Sequence, residues 1–328
     1  MRFQEGIDAQ PAVLAASAKA VQDALPRLAP PDPGSVVALV GIGASEHVAR
    51  SVAPVWRDLG LRAFAVPASE LLEAGPVADV YVGISESGRS AETVAALRQV
   101  TVRRVGVTNF VDSVLAEVVD ELLPMESGPD SPVYTTGYSA TLQTMGLLGE
   151  HWSGTTSDWS ALPGLAERVI AEAKPVVESV AERFDRARII DVVGSGASNA
   201  TAGEGALLLR EAARAHTAAH ETYNYLHGPM EPVDDSCACI VVGDDREVRL
   251  ARELSGLGCQ TLLVTRRSDV EPDEALTVLT LPEPPSALAG TVLEILPLQL
   301  LGWSLAARRG LRADGFRYEQ DDIKLDGR

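Results

Sequence analysis

The sequence predicts an α/β protein of two similar halves, each a mostly parallel sheet flanked by helices, on three observations. Apolar runs of strand length alternate with stretches of helix length, the pattern of βαβ units. The runs Val36-Val37-Ala38-Leu39-Val40 and Ile189-Ile190-Asp191-Val192-Val193 are nearly continuous rather than alternating, as in strands covered on both faces. The third observation is a repeat. Gly41-x-Gly43-x-Ser45 returns 153 residues later as Gly194-x-Gly196-x-Ser198, Gly75-Pro76 returns at the same offset as Gly228-Pro229, and Glu221 falls opposite Glu70 at an offset of 151.

Residues 9–28 carry apolar positions at helical spacing (Val13, Leu14, Ala20, Val21, Leu25) and run into prolines at 26, 30, 31 and 33, so residues 1–30 read as an N-terminal helical arm. The first α/β unit is expected over 31–155, with strands at 36–40, 62–66, 80–84 and 102–108. Helices are expected to about 59, at 68–74, to about 100 and at 139–152. Residues 156–187 hold a linking helix from 161. The second unit, 188–310, repeats the order with strands at 189–193, 239–242 and 261–265 and an apolar helix after Ser286; residues 311–328 form a polar tail. The whole reads as a tandem duplication.

A chain of 328 residues with 46% hydrophobic and 23% charged residues is that of a globular protein with a sizeable core. Its net charge of −18 excludes nucleic acid and anionic membrane as partners, since phosphate backbones are held by basic surface. Cys237, Cys239 and Cys259 are odd in number and spaced for neither a disulfide framework nor zinc, so we expect buried thiols, no metal and no cofactor. The first residues lack the basic flank and apolar core of a signal peptide, which implies a cytoplasmic protein. Residues 288–307 approach membrane-span length but include Glu294, Pro297 and Gln299, and are expected to form a core helix.

Chemistry concentrates in Ser85-Glu86-Ser87-Gly88-Arg89-Ser90-Ala91-Glu92-Thr93. Four hydroxyls, a glycine able to take positive φ and a helix start with free N–H groups suit a phosphate monoester, although short serine clusters also serve as helix caps. Glu86 and Glu92 oppose a dianion there and Arg89 offsets one of them. The second half has Gly243-Asp244-Asp245-Arg246-Glu247 in this place, without hydroxyls, so one anion site is expected per chain. The Gly-x-Gly turns lack the third glycine of a dinucleotide fingerprint, with Glu46 and Asn199 standing there.

Together the two Gly-x-Gly-x-Ser turns, the serine loop and the duplicated layout resemble the SIS (sugar isomerase) family, and within it the isomerase half of the glucosamine-6-phosphate synthases. The resemblance runs from the Gln4–Pro11 arm through Glu204-Gly205-Ala206-Leu207-Leu208-Leu209-Arg210-Glu211 to His227-Gly228-Pro229. It implies flavodoxin-like halves, a homodimer with shared active sites, and a small phosphorylated sugar or amino sugar as ligand. Ser45, Ser85, Ser87, Ser90 and Thr93, with Glu86 in the same loop, then face the sugar phosphate and nearby hydroxyls. Glu211 takes the place of the base that moves a proton between C1 and C2, with Glu204 the next candidate, and His227 that of the group that opens the ring, delivered by the neighbouring subunit.

What the resemblance implies is an aldose–ketose isomerase working by ring opening and enediol proton transfer. Alternatives are an amino sugar phosphate deaminase or fructosamine phosphate deglycase, and a noncatalytic phosphosugar sensor. No glutaminase half is recognisable and residue 1 is not cysteine, so glutamine amidotransfer is not expected. The synthase pattern also has glutamine for Glu86, lysine for Leu208 and Ser-Thr-Lys for Thr135-Thr136-Gly137. Its Schiff-base lysine falls on Asp321, with Lys324 three residues on. The tail is therefore expected to do no imine chemistry, Asp321 and Asp322 holding Lys324 protonated.

Overall fold

The structure is a computed structural model that describes residues 1–318 and 320–326. The arm is helix α1 (Phe3–Ala24), which begins six residues before the expected start. Its buried line is Phe3, Ile7, Gln10, Leu14, Ser17 and Val21, an alternation of three and four that keeps one face inward. Polar Gln10 and Ser17 on that line conceal it in the sequence, and Gln10 Nε2 there donates to Gln299 Oε1.

The first sheet consists of β1 (Val36–Gly41), β2 (Arg62–Pro67), β3 (Val80–Ile84), β4 (Arg103–Thr108) and β5 (Glu121–Pro124), all parallel in the order β2-β1-β3-β4-β5. Between them run α2 (Ala44–Asp58), α3 (Ala68–Ala74) and α4 (Ala91–Arg98), and α5 (Thr136–Ser153) closes the unit. Next comes α6 (Leu162–Phe184), a long helix between the two sheets in chain order. The second sheet has β6 (Ile190–Gly194), β7 (Thr217–Glu221), β8 (Ala238–Val242), β9 (Gln260–Thr265) and β10 (Leu276–Thr280). Its order, β10-β9-β8-β6-β7, is the first sheet's order in its own numbering. Its helices are α7 (Ser198–Ala213), α8 (Thr222–Tyr225), α9 (Arg246–Gly256) and α10 (Ala287–Arg308). The sequence reading lacks β5 and β10, the outer strands on equivalent edges, and also β7 on the opposite edge of the second sheet.

Strand alternation decides the layers. Val37 and Leu39 on β1, with Ile190 and Val192 on β6, point into one large shared core, while Ala38 and Val40 face α3 and α4 on the outside. Val193, Cys237, Cys239, Val241 and Cys259 pack on the outer side of the second sheet, and all three thiols are free and buried. The layer between the sheets is built from α1, α2, α5, α6, α7 and α10. A helix surrounded by protein must be small or apolar all round, and α5 and α10 are so: every residue from 136 to 150 is buried, as are seventeen positions of α10. Among the described residues the one helix long and apolar enough to cross a membrane is α10, and it lies in this core. Gly149 lets Trp56 reach in, since a Cβ there would fall 2.3 Å from the indole nitrogen. That nitrogen donates to the Met145 carbonyl at 3.0 Å, and Trp56 meets Trp152 edge to face at 5.3 Å.

Candidate active site

Each Gly-x-Gly-x-Ser turn is a strand-to-helix hinge with a physical reason for both glycines. A Cβ on Gly41 would lie 2.7 Å from the Ser45 carbonyl, and one on Gly194 would lie 2.6 Å from that of Ser198, so the first glycine permits the helix to start against the strand. The second has φ of +58° at Gly43 and +56° at Gly196, a region open to glycine at little cost. Ser45 is thereby set in the first turn of α2, at the C-terminal edge of the sheet where α/β proteins bind ligands.

The serine loop turns at Gly88, whose φ is +63° and whose Cβ would strike Ser113 Oγ at 2.2 Å. Ser85 Oγ lies 3.0 Å from Ser90 Oγ, and Ser87 Oγ accepts from the Arg89 N–H at 3.3 Å. The tail pairs with this loop. Ser90 and Lys324 form an antiparallel bridge, with Ala91 N–H donating to the Ile323 carbonyl at 3.2 Å and Leu325 N–H to the Arg89 carbonyl at 2.9 Å. Arg89 Nε also donates to the Leu325 carbonyl, at 2.6 Å. One N–H at the start of α4 is therefore occupied by the tail.

A cavity of about 330 Å³ opens beside this bridge, bounded by the turn at 42–45, the loop, residues 132 and 134, α7 and the tail. Ser45, Glu86, Ser90, Glu204 and Glu211 all line it, with Glu92, Tyr134 and Lys324. Glu204 and Glu211 stand seven residues apart on α7 with Leu207 between them, on one helical face. Burial pushes the Glu211 carboxyl up to about 7, against the opposing pull of Lys324. Glu204 is only 3% exposed, its Oε2 has no hydrogen-bond partner, and burial together with the charge of Glu211 raises its pKa well above the ordinary range. Two carboxyls with separated affinities offer a proton donor and a proton acceptor near neutrality.

Other expected residues lie off the cavity wall. Ser85 and Thr93 are buried, Ser87 is half-buried behind the wall, and the Thr93 hydroxyl has no partner among the described residues. His227 is exposed on the turn after α8, its N–H donating to the Asn224 carbonyl at 3.0 Å, and is not among the lining residues. The expectation that Asp321 and Asp322 hold Lys324 protonated is corrected. The main-chain bridge to Ser90 brings Lys324 to the cavity, and the carboxylates acting on it are Glu86 and Glu211. Burial and Arg89 lower its pKa, although part of its surface is open to solvent, which weakens the effect. Tyr134 and Asn109 were not legible as site residues, and nothing local marks the bridge between positions 90 and 324 that brings Lys324, named from the sequence only for its nearness to the Schiff-base position, to the cavity.

The equivalent place in the second half is filled by the protein itself. Ser198 Oγ and Thr201 Oγ1 donate to Glu294 at 2.9 and 2.8 Å. Asp244 accepts from Thr265 Oγ1 at 2.9 Å and pairs with Arg266. About 10 Å³ is left.

Residues 184–308 match the SIS domain family. A glutamine–fructose-6-phosphate aminotransferase (isomerizing) from Thermus thermophilus is 30% identical over 273 residues, 75% of this chain and 45% of that protein. One from Pyrobaculum aerophilum is 28% identical over 299 residues, 85% of this chain and 49% of that protein. The chain thus spans about half the length of the curated relatives it matches. Among solved structures, the C-terminal domain of glucosamine-fructose-6-phosphate aminotransferase from Francisella tularensis superposes with a TM-score of 0.82 at 19% identity, covering 95% of this chain and 97% of that one. A glucosamine-6-phosphate deaminase from Thermotoga maritima gives 0.82 at 22% identity, covering 98% and 99%. Tagatose-6-phosphate ketose/aldose isomerase from Escherichia coli gives 0.79 at 19%, covering 95% and 94%. At these identities the structural likeness speaks for the fold alone.

Proposed function

From the premise that this chain carries a SIS domain and resembles the isomerase half of glutamine–fructose-6-phosphate aminotransferase, we propose that it is a sugar phosphate aldose–ketose isomerase. The observation that carries the reading is Glu211: a carboxyl raised to about 7 in the same cavity as the Ser45 and Ser90 hydroxyls. An α-proton of a hydroxy-aldehyde is removed fastest by a base whose affinity for the proton lies near the working pH.

In this mechanism the phosphate sits against Ser45, Ser90 and the loop N–H groups, and the opened sugar extends toward α7. Ionised Glu211 takes the C2 proton. The C2–H electron pair becomes the C1=C2 bond of the enediol, and the carbonyl electrons accept a proton at O1, for which protonated Glu204 is a source. Glu211 returns its proton to C1 as the O2 proton passes to the Glu204 carboxylate, which gives the ketose and restores protonated Glu204. His227, exposed in its own chain, opens the ring in the site of a second copy, which requires a homodimer.

The repeated strand order supports reading the chain as a duplication, with an arm at 1–30, units at 31–155 and 188–310, a link at 156–187 and a tail at 311–328. Only the first unit retains an open anion site.

A deaminase or deglycase is the second reading, favoured by four carboxylates on the wall (Glu86, Glu92, Glu204 and Glu211) against the Lys324 ammonium, a balance that accommodates an amine. Incubation of hexose 6-phosphates in deuterated water is expected to place deuterium at C2, and Glu211→Gln to abolish exchange while retaining affinity, since the amide keeps the shape but accepts no proton. Ammonia or amino acid release from an amino sugar phosphate would select the second reading. Binding without exchange or release would leave a sensor.

A further inference from the structure

Glu86 poses a problem for any site that takes a phosphate dianion: a carboxylate stands second in the serine loop, where it should repel the ligand. The structure shows where that carboxylate is held. Asn109 Nδ2 donates to Glu86 Oε1 at 3.1 Å and is itself tied to the Gly128 carbonyl, and the Glu86 carbonyl accepts from Asn109 N–H at 2.9 Å and Thr108 Oγ1 at 3.0 Å. The side chain lies back against the start of α5, where a Cβ on Gly137 would come within 2.8 Å of Glu86 Cγ. A Cβ at 137 would crowd both Glu86 and Asp130, so the glycine is what lets the Glu86 side chain rest there. Tyr134 stands beside it, with its phenol close enough to Glu86 and Ser87 for each to affect its ionisation. On its other side the phenol oxygen accepts from Lys324 Nζ at 2.9 Å, and the ammonium lies 5.4 Å from the ring centre.

We propose that Glu86 and Tyr134 are a positioning pair for Lys324: the buried carboxylate and the phenol between them hold this ammonium on the cavity wall. The loop's misplaced negative charge then faces the lysine rather than the phosphate. Among the described residues Lys324 is the only cation lining the cavity, so the pair decides whether the site presents positive charge to an anionic oxygen of the ligand. The assignment rests on the cavity being the substrate site. It also accounts for Gly137 and Glu86 occurring together, since one makes room for the other.

The charged and titratable groups that face Lys324 are Glu86 and Tyr134 from the first unit, Arg89 from the loop and Glu211 from α7; Asp130 acts on Glu86 in turn. Glu86 and Glu211 raise the lysine's proton affinity, and Arg89 and burial lower it. Loss of Glu86 charge must therefore free more amine at neutral pH.

The chain contains three lysines, Lys19, Lys174 and Lys324, so limited acetylation by acetic anhydride across a pH series, read by peptide mass, reports Lys324 against two internal references. Glu86→Gln is expected to move the Lys324 profile to lower pH, raising its labelling at neutral pH about three- to tenfold, on the scale of tenfold per unit. Tyr134→Phe should raise it by releasing the amine, and Glu86→Asp should restore part of the wild-type profile. Circular dichroism melts establish that each variant is folded, and the Tyr134→Phe result decides the matter where Glu86→Gln is not. Unchanged Lys324 profiles in the folded variants would overturn the pair. Labelling of wild type with and without glucose 6-phosphate and fructose 6-phosphate keeps the two readings apart: a shift between variants without protection by either sugar retains the pair and removes the phosphosugar reading.

Discussion

Glu204 and Glu211 share one helix face and stand in different surroundings, and that difference can be measured. Both folded-state affinities lie above the unfolded value near 4.5, so below that pH neither costs stability. As pH rises the unfolded chain ionises while the folded one still holds its protons, and stability falls through the interval up to the folded pKa, which for Glu211 is about 7. Glu204→Gln removes one such loss. Its melting temperature is expected to gain on wild type progressively from about pH 4.5 to neutrality, and a constant difference would mean that Glu204 is already ionised in the folded state. Ser90, the loop hydroxyl on the cavity wall, is expected to matter for phosphate: Ser90→Ala should weaken a phosphosugar by about 1.5–3 kcal/mol, roughly ten- to hundredfold in Kd, with little effect on the free sugar, as calorimetry of the two would show. At this scale the sequence makes residue types legible but not their depth. Thr93 reads as one more hydroxyl of the loop, yet it points inward from α4, and no spacing rule distinguishes the two.

Helices α2 and α7 bring the two halves of the cavity together, one carrying Ser45 and the other both glutamates. Their contact depends on Gly203, where a Cβ would fall 2.4 Å from His47 Nδ1. Burial, helped by Arg50, lowers the His47 pKa to about 4, so the ring that fills this space is neutral at ordinary pH. Gly203→Ala is expected to push the helices apart, costing about 1–3 kcal/mol in a denaturant titration and reducing C2 exchange more than the lost stability explains. Unaltered exchange would show that the spacing of these helices is not critical. Elements buried on both sides were legible, because β1, β3, β6, β8 and α10 have no polar face to confuse their period. The outer strands β5, β7 and β10 were not. Four residues ending in Pro124, or the alternation of Leu276 to Thr280, are too short to separate from loop without the neighbour that pairs with them.

Across the whole molecule, two sheets with the same strand order enclose one core; the repeat at an offset of 153 residues made two similar halves legible, but not the core that they share. What the repeat could not convey is that one unit's ligand edge is closed by Glu294 and Asp244 while the other is finished by a distant segment. The exposed place of His227 gives a test at this scale. Glu211→Gln and His227→Ala are each expected to be inactive, and mixing them through unfolding and refolding should restore about one quarter of wild-type activity, because half the dimers are mixed and each has one intact site. Persistent inactivity would place ring opening within a single chain. The bridge between Ser90 and Lys324 also orders events in time. Residues 323–325 are made after the arm, both sheets and α10, so every part of the core exists before the segment that gives the cavity this wall and its ammonium. A chain cut before residue 323 is therefore expected to keep both sheets and α10 and to lose the phosphosugar affinity proposed above, which a thermal-shift titration of the shortened protein would show.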